Sequence, residues 1–314
     1  MAPTKPVQYD PGLSNRVDGK INRFINPDGS FNIKRSGLRW RDHNVYQHLI
    51  SVPWPHFLGI LILGYLLVNS LFAGIYLLIG IENLQGAVIG SPGTTFLNAF
   101  FFSCHTLTTV GYGSISPKGN LANLAAAFEA AVGLLGFALA TSLFYGRFSK
   151  PSLHLVFSKN AIVAPYQDSI ALEFRVVNGR TDTLMELSAN VLIITVETQD
   201  GQPKRIYRNL TLERSSVQFM PLTWTIVHPI DQSSPFFGKT PAELAALETE
   251  ILVLIKGFDD TFSQWVHAMY SYRSENIRWG ERFVPAFRVD AQGEVVVQVD
   301  HVHDTESVPL PGGA

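Results

Sequence analysis

Thr109-Val110-Gly111-Tyr112-Gly113 is the stretch whose residue types could handle an ion. A dehydrated cation needs a cage of oxygens, and backbone carbonyls form one only when they all point to the same side. Gly111 and Gly113 permit backbone conformations that a Cβ would penalise. Thr109 can add a hydroxyl oxygen at the inner end, and the Tyr112 ring can wedge the loop outward against its scaffold. Other patterns carry less. His301-Val302-His303 would set two imidazoles on one face of a strand, but no further metal ligand accompanies them. Gly111–Ser116 superficially matches a dinucleotide fingerprint, yet lacks its final glycine and preceding strand. With no G-x-S-x-G, H-E-x-x-H or phosphate loop in the sequence, neither an enzyme nor an organic cofactor is expected.

Five such residues alone would also suit an apolar turn, so their setting decides. Upstream, Phe96–Thr108 is strongly apolar but too short to cross a bilayer, which predicts a re-entrant pore helix. Two longer apolar segments flank it, one from about Trp54 to Ile79 and one from about Asn120 to Phe148. Non-helical backbone at membrane depth is tolerated where protein buries it or where it lines a water-filled path. Span, half-helix, glycine loop and span make a pore module. The loop itself is the filter sequence of potassium channels, recognised as such and not deduced from spacing. That recognition makes the ion K+, held by carbonyls from Thr109 to Gly113, and the assembly a homotetramer around the pore.

The elements that position the loop can be read in order. Residues 1–35 are rich in Pro, Asn, Asp and Gly and suggest a flexible arm, with a short strand near Phe31–Ile33. Residues 36–53 suggest an interfacial slide helix, in which Trp40, Val45, Tyr46, Leu49 and Ile50 share an apolar face. Residues 54–150 form the pore domain. Lys34, Arg35, Arg39 and Arg41 precede the first span, Arg147 and Lys150 follow the second, and Lys118 alone lies between. The positive-inside rule then puts both termini in the cytoplasm of a multi-pass membrane protein. Glu129 is the one charge inside a span. It either braces the back of the filter, through His105 or pore-helix backbone, or sits solvated near the outer surface.

From Pro151 the pattern becomes that of a soluble β-domain, taken as 151–290, with a last strand and tail at 291–314 that ends in disorder. Ile170, Leu172, Phe174 and Val176 alternate. Val191–Val196, Ile206–Leu212, Leu222–Val227, Ile251–Ile255, Ser263–Tyr270 and Glu294–Val299 continue the series, which argues for a sandwich. Thr240-Pro241-Ala242-Glu243 is a capping box that opens a helix through about Glu248. The fold class is thus membrane α joined to soluble all-β. The 314 residues, 46% hydrophobic and 16% charged, suit that division, and a net charge of −2 gives no support for nucleic-acid binding. The single cysteine, Cys104, excludes an intrachain disulfide and any cysteine-cluster metal site. No signal peptide is expected, because the first long apolar run is too deep and too long.

Later motifs narrow the family. Gly146-Arg147-Phe148-Ser149-Lys150-Pro151 and Phe157-Ser158-Lys159-Asn160-Ala161 flank the start of the β-domain. Trp224-Thr225-Ile226-Val227-His228-Pro229-Ile230-Asp231 and Asn276-Ile277-Arg278-Trp279-Gly280 follow. With these the chain resembles the bacterial branch of the inward-rectifier potassium channels, from about Asn26 to Phe287. The resemblance implies an immunoglobulin-like cytoplasmic domain forming a fourfold vestibule, in a bacterial inner-membrane channel.

The resemblance also assigns roles. It makes Tyr145 the inner gate, Phe137 the rectification position, Thr141 a pore-lining residue between them, and Gly133 a hinge. Gly257, Phe258, Asp259, Asp260, Thr261 and Phe262 become the loop that narrows the cytoplasmic pore. His105 stands where many relatives carry a filter-bracing carboxylate, and Ile115 where some carry its arginine partner. Phe137 and Lys256 replace acids that bind polyamines in strong rectifiers, which implies weak rectification. Arg147 and Lys150 are candidate contacts for anionic or phosphoinositide headgroups, or else only fix topology. Three functions remain to be separated: a K+-selective channel, a poorly selective cation channel, and a membrane-anchored binding or enzymatic domain.

Overall fold

The structure, a computed structural model, describes residues 11–16, 19, 23–34, 36–37, 44–149, 153–180, 184–199, 201–260 and 262–311. These fall into two compact units, one drawn from residues 36–150 and one from the residues before and after them.

The first unit is helical. Helix α1 (Val45–Ser51) starts where the Asn44 side chain accepts from the Gln47 amide at 3.2 Å. Trp40 and Arg41 of the expected slide helix lie outside the described residues. Helix α2 (Trp54–Ile79) opens with proline in its first turn and ends at Gly80, whose φ of 106° no β-carbon residue adopts readily. Strand β1 (Leu84–Gln85) leads to α3 (Pro92–Leu107), and β2 (Ser116–Pro117) pairs back on β1. Helix α3 begins four residues before the apolar stretch that announced it, because Ser91 caps it and Pro92 fits its first position. Helix α4 (Gly119–Phe148) is unbroken. At about 1.5 Å per residue, α2 and α4 run about 39 and 45 Å, each longer than the roughly 30 Å of a bilayer core.

The second unit is a sandwich. One sheet contains β6 (Leu184–Gln199), β7 (Gln202–Asn209), β8 (Ser216–Phe219), β10 (Glu250–Asp259) and β11 (Gln264–Arg273). The other contains β3 (Leu155–Phe157), β4 (Ala161–Tyr166), β5 (Ser169–Asn178), β9 (Thr223–Pro229) and β12 (Ile277–Trp279). Leu172, Phe174, Val176 and Ile226 of one sheet and Leu187, Val191, Ile193, Ile251 and Val253 of the other share one buried core. Helix α5 (Pro241–Ala246) carries the expected capping box, with the Thr240 amide donating to Glu243 at 2.8 Å, and buries Leu244.

Three expectations need correction. The N-terminal arm is docked on the sheet of β10 and β11 at Arg23, Phe24 and Ile25. The Arg23 guanidinium donates to the Ser271 carbonyl at 2.6 Å and to Asn276 at 3.0 Å, the Phe24 amide donates to Glu250 at 3.0 Å, and Ile25 is buried against Ile194, Tyr207 and Leu252. The division at 290/291 cuts a hairpin, since β14 (Phe287–Val289) pairs with β15 (Val295–Val297). Strand β13 (Glu281–Phe283) likewise pairs with β16 (Thr305–Ser307), so the segment after 290 belongs to the domain. His301 and His303 lie on a short 3-10 turn and not a strand. His301 meets Asp304 at 2.6 Å while His303 accepts from the Lys159 amide at 3.3 Å.

Candidate ion pathway

Helix α3 ends at Leu107, and its C-terminal carbonyls place the negative end of the helix dipole beside the loop that follows, a field that favours a cation. The loop hangs from that end by two backbone bonds, Thr109 amide to Thr106 carbonyl at 3.0 Å and Gly111 amide to His105 carbonyl at 3.2 Å. Thr109, Gly111 and Gly113 all have positive φ, at 60°, 55° and 79°. Glycine adopts this region freely, but for a β-branched threonine it is a true outlier, and such strain collects at functional sites. The His105 ring stands edge-on to Tyr112, with centroids 4.9 Å apart, so these two support one another directly.

Behind α3 lies a buried polar cluster. The Glu129 carboxylate is fully buried, which removes the solvated alternative, and it meets neither His105 nor pore-helix backbone. Its partners are side chains. Tyr76 Oη donates to Glu129 Oε2 at 2.5 Å, Ser103 Oγ contacts Oε1, and Ser103 Oγ also lies 3.0 Å from Asn69 Oδ1. Asn69 Nδ2 in turn donates to the Tyr65 carbonyl at 2.7 Å. Asn69, Tyr76 and Ser103 carry no motif that marks them in the sequence. The available signal was a set of polar side chains in membrane helices beside an intramembrane carboxyl.

Gly133 is where α4 touches the end of α3. A Cβ there would overlap the Leu107 carbonyl oxygen, so only glycine allows the approach. The position expected to bend is therefore also a packing contact, and α4 passes through it without a break. Below it, Phe137, Thr141 and Tyr145 are spaced by four and share a face. Phe137 and Tyr145 are 75% and 74% exposed in the single chain, whereas the Phe144 ring packs at 5.2 Å on Phe57. Thr108, Thr109, Gly133, Phe137 and Tyr65 also line a cavity of about 720 Å³ beside the loop.

Arg147 is already engaged within its own chain, so a headgroup would have to compete for it. Its guanidinium donates to the carbonyls of Leu49 and Val52, each at 2.6 Å, and lies over the Trp54 and Phe57 rings at 4.6 and 4.4 Å. It caps the C-terminal end of α1, where a cation suits the dipole. Gly146 lies close to Tyr46 Oη and Ile50, so α1 and α4 meet near this position. Lys150 lies outside the described residues.

In the β-domain, the expected pore loop is half strand. Gly257, Phe258 and Asp259 belong to β10, with a register shift between Lys256 and Phe258. Asp259 is buried and accepts from the Phe262 amide at 3.2 Å, so its side chain is turned inward, while Asp260 is exposed. Thr261 lies outside the described residues. Lys256 Nζ sits 4.1 Å from the Trp265 ring centroid, a cation–π contact.

Comparison with known proteins agrees with this geometry. Residues 61–150 match the "Ion channel" family model, and residues 155–314 match "Inward rectifier potassium channel C-terminal domain". Inward rectifier potassium channel Kirbac3.1 of Paramagnetospirillum magnetotacticum is 38% identical over 288 residues, covering 90% of this chain and 95% of that one. This chain is an inward rectifier potassium channel. Among animal inward rectifiers, ATP-sensitive inward rectifier potassium channel 12 of Gallus gallus is 26% identical, over 95% of this chain and 76% of its own length. G protein-activated inward rectifier potassium channel 2 of Mus musculus is 26% identical over 95% and 75%. Membership makes the protein a two-span membrane ion channel and not an enzyme, with the two long apolar helices as its spans.

Proposed function

We propose that four copies of this chain form a K+-selective pore, with the filter at Thr109–Gly113 and both termini on the cytoplasmic side. The observation that carries the proposal is the run of positive φ at Thr109, Gly111 and Gly113 directly after the C-terminal end of α3. Alternating backbone conformations of this kind turn successive carbonyls to one side, and such carbonyls can replace a hydration shell. The apolar faces of α2 and α4, including Ile62, Leu67, Leu134 and Leu135, are exposed in one chain and suit lipid and neighbouring copies.

The Tyr145 ring is the inner gate, closing by side-chain bulk and dewetting. Rectification is weak, because Phe137 offers polyamines no charge and Lys256 is engaged by Trp265. Anionic lipid acts at the lower end of α4. A headgroup that drew Arg147 off the Leu49 and Val52 carbonyls would release α1 from the inner helix.

Flux into liposomes tests the reading. Purified protein should pass K+ and Rb+ far better than Na+, Ba2+ should block, and spermine should block little until Phe137→Asp supplies a ring of carboxylates. Equal K+ and Na+ fluxes would favour a poorly selective cation pore instead.

A further inference from the structure

The cluster behind α3 can be read by counting hydrogens. Asn69, Ser103 and Glu129 are each fully buried and Tyr76 is 1% exposed, so the contacts must be satisfied among themselves. The Asn69 orientation is fixed, because its Nδ2 donates to the Tyr65 carbonyl at 2.7 Å and the flipped amide would set two carbonyl oxygens at that distance. That leaves three oxygen–oxygen contacts: Tyr76 Oη to Glu129 Oε2, Glu129 Oε1 to Ser103 Oγ, and Ser103 Oγ to Asn69 Oδ1. Each needs one hydrogen. Tyr76 and Ser103 carry one hydroxyl hydrogen apiece, and the Asn69 oxygen and an ionised carboxylate carry none. An ionised Glu129 is therefore one hydrogen short.

We infer that Glu129 is a neutral carboxylic acid that donates from Oε1 to Ser103. The hydrogens then run in one direction. Tyr76 donates to Glu129, Glu129 to Ser103, and Ser103 to Asn69, which leaves no contact without a hydrogen. The chain ties α4 to α3 and ties both to α2 at Tyr76 and Asn69. Glu129 is thus a positioning residue, holding the pore helix by donation and not by charge. The groups facing it are Tyr76 and Asn69 from α2 and Ser103 from α3.

What this latch serves rests on the channel reading, but its protonation state does not. The test is infrared spectroscopy of the purified tetramer at neutral pH, with Glu129→Gln and Ser103→Ala as difference partners. The wild type should show a protonated-carboxyl C=O band that Glu129→Gln removes and Ser103→Ala shifts. Difference spectra are required because burial also raises Glu173 and Glu250 of the sandwich above the ordinary carboxylate range. Flux supplies the second arm. Gln keeps one donor and one acceptor in place, so Glu129→Gln should retain wild-type flux and K+ preference. Glu129→Ala leaves buried groups unpaired and should lose about tenfold. A wild type without a band sensitive to either variant would overturn the inference. So would an assembled Glu129→Gln that is silent while Glu129→Asp conducts. A band with no K+ preference would leave the inference standing and defeat the channel reading.

Discussion

The two units bury their residues in opposite ways. The sandwich closes on itself, with Leu187, Ile193, Ile226 and Ile251 fully buried within one chain and its outer face covered by Ile25 and Phe24 of the arm. The pore unit leaves most of its apolar surface outside. Only Phe57, Asn69, Phe72, Ala73 and Tyr76 of α2, and Ala122 and Glu129 of α4, are buried. A buried set that includes an amide and a carboxyl, under an exposed set of Leu, Ile and Phe, inverts the order of a protein in water. It is the order expected where lipid surrounds the helices and polar groups must find each other inside. Stability of the sandwich is then a property of one chain, and function of the pore a property of the assembly.

Substitutions that separate the two properties follow, beginning with the largest effect. Gly111→Ala should abolish K+ flux while leaving the tetramer assembled, because no described residue of the chain beyond its two neighbours lies within 4 Å of the added methyl and the loop's φ of 55° is what is challenged. Gly133→Ala should cost flux and assembly together, because its methyl would strike the Leu107 carbonyl. Gel filtration beside the flux assay distinguishes them. A normally conducting Gly133→Ala would mean that the α3–α4 contact is dispensable. In the sandwich, Leu187→Ala should lower unfolding stability by about 2–5 kcal/mol without altering K+ preference in whatever channel still assembles.

Smaller effects test finer placement. Tyr145→Ala should raise resting flux several-fold with unchanged ion preference, and Phe144→Ala should do much less, since that ring packs on Phe57 inside its own chain. The reverse order would put the pore-facing side of α4 one residue away. The smallest effect concerns pH. His228 is buried, with Nδ1 donating to the Thr211 carbonyl at 2.7 Å and Nε2 accepting from Ser234 at 2.8 Å, and burial holds the imidazole below its ordinary value of 6.5. As pH falls through 6.5 the unfolded chain takes up a proton first, so stability present above that value is lost on the way to the lower folded value. The melting temperature should fall over that range, and His228→Gln should reduce the fall.

What the sequence announced was whatever depends on period or on a spaced motif. The spans, the pore helix, the positive-φ glycines Gly111 and Gly113, the capping box at Thr240 and the alternation through Phe174 are of that kind. What it hid depends on particular side chains meeting across the fold. The arm docks through Arg23, Phe24 and Ile25, in a stretch with no period and many turn residues. Gly133 looks like any helix glycine until the Leu107 carbonyl is set against it. Arg147 looks like an unengaged headgroup ligand until α1 turns its last carbonyls toward it. Asp259 looks like a pore acid until the turn beyond β10 claims it. Strands β12, β13, β14 and β16 have three residues each, too few for alternation to show.

The measurement that bears most directly on the central claim is the reversal potential of the purified channel in a planar bilayer, with K+ on one side and Na+ on the other. If the carbonyls from Thr109 to Gly113 replace the hydration shell of K+, the reversal potential should lie far from zero with the K+ side negative, and Tyr145→Ala should not move it. A reversal potential near zero in both proteins would contradict the account, whatever the size of the current.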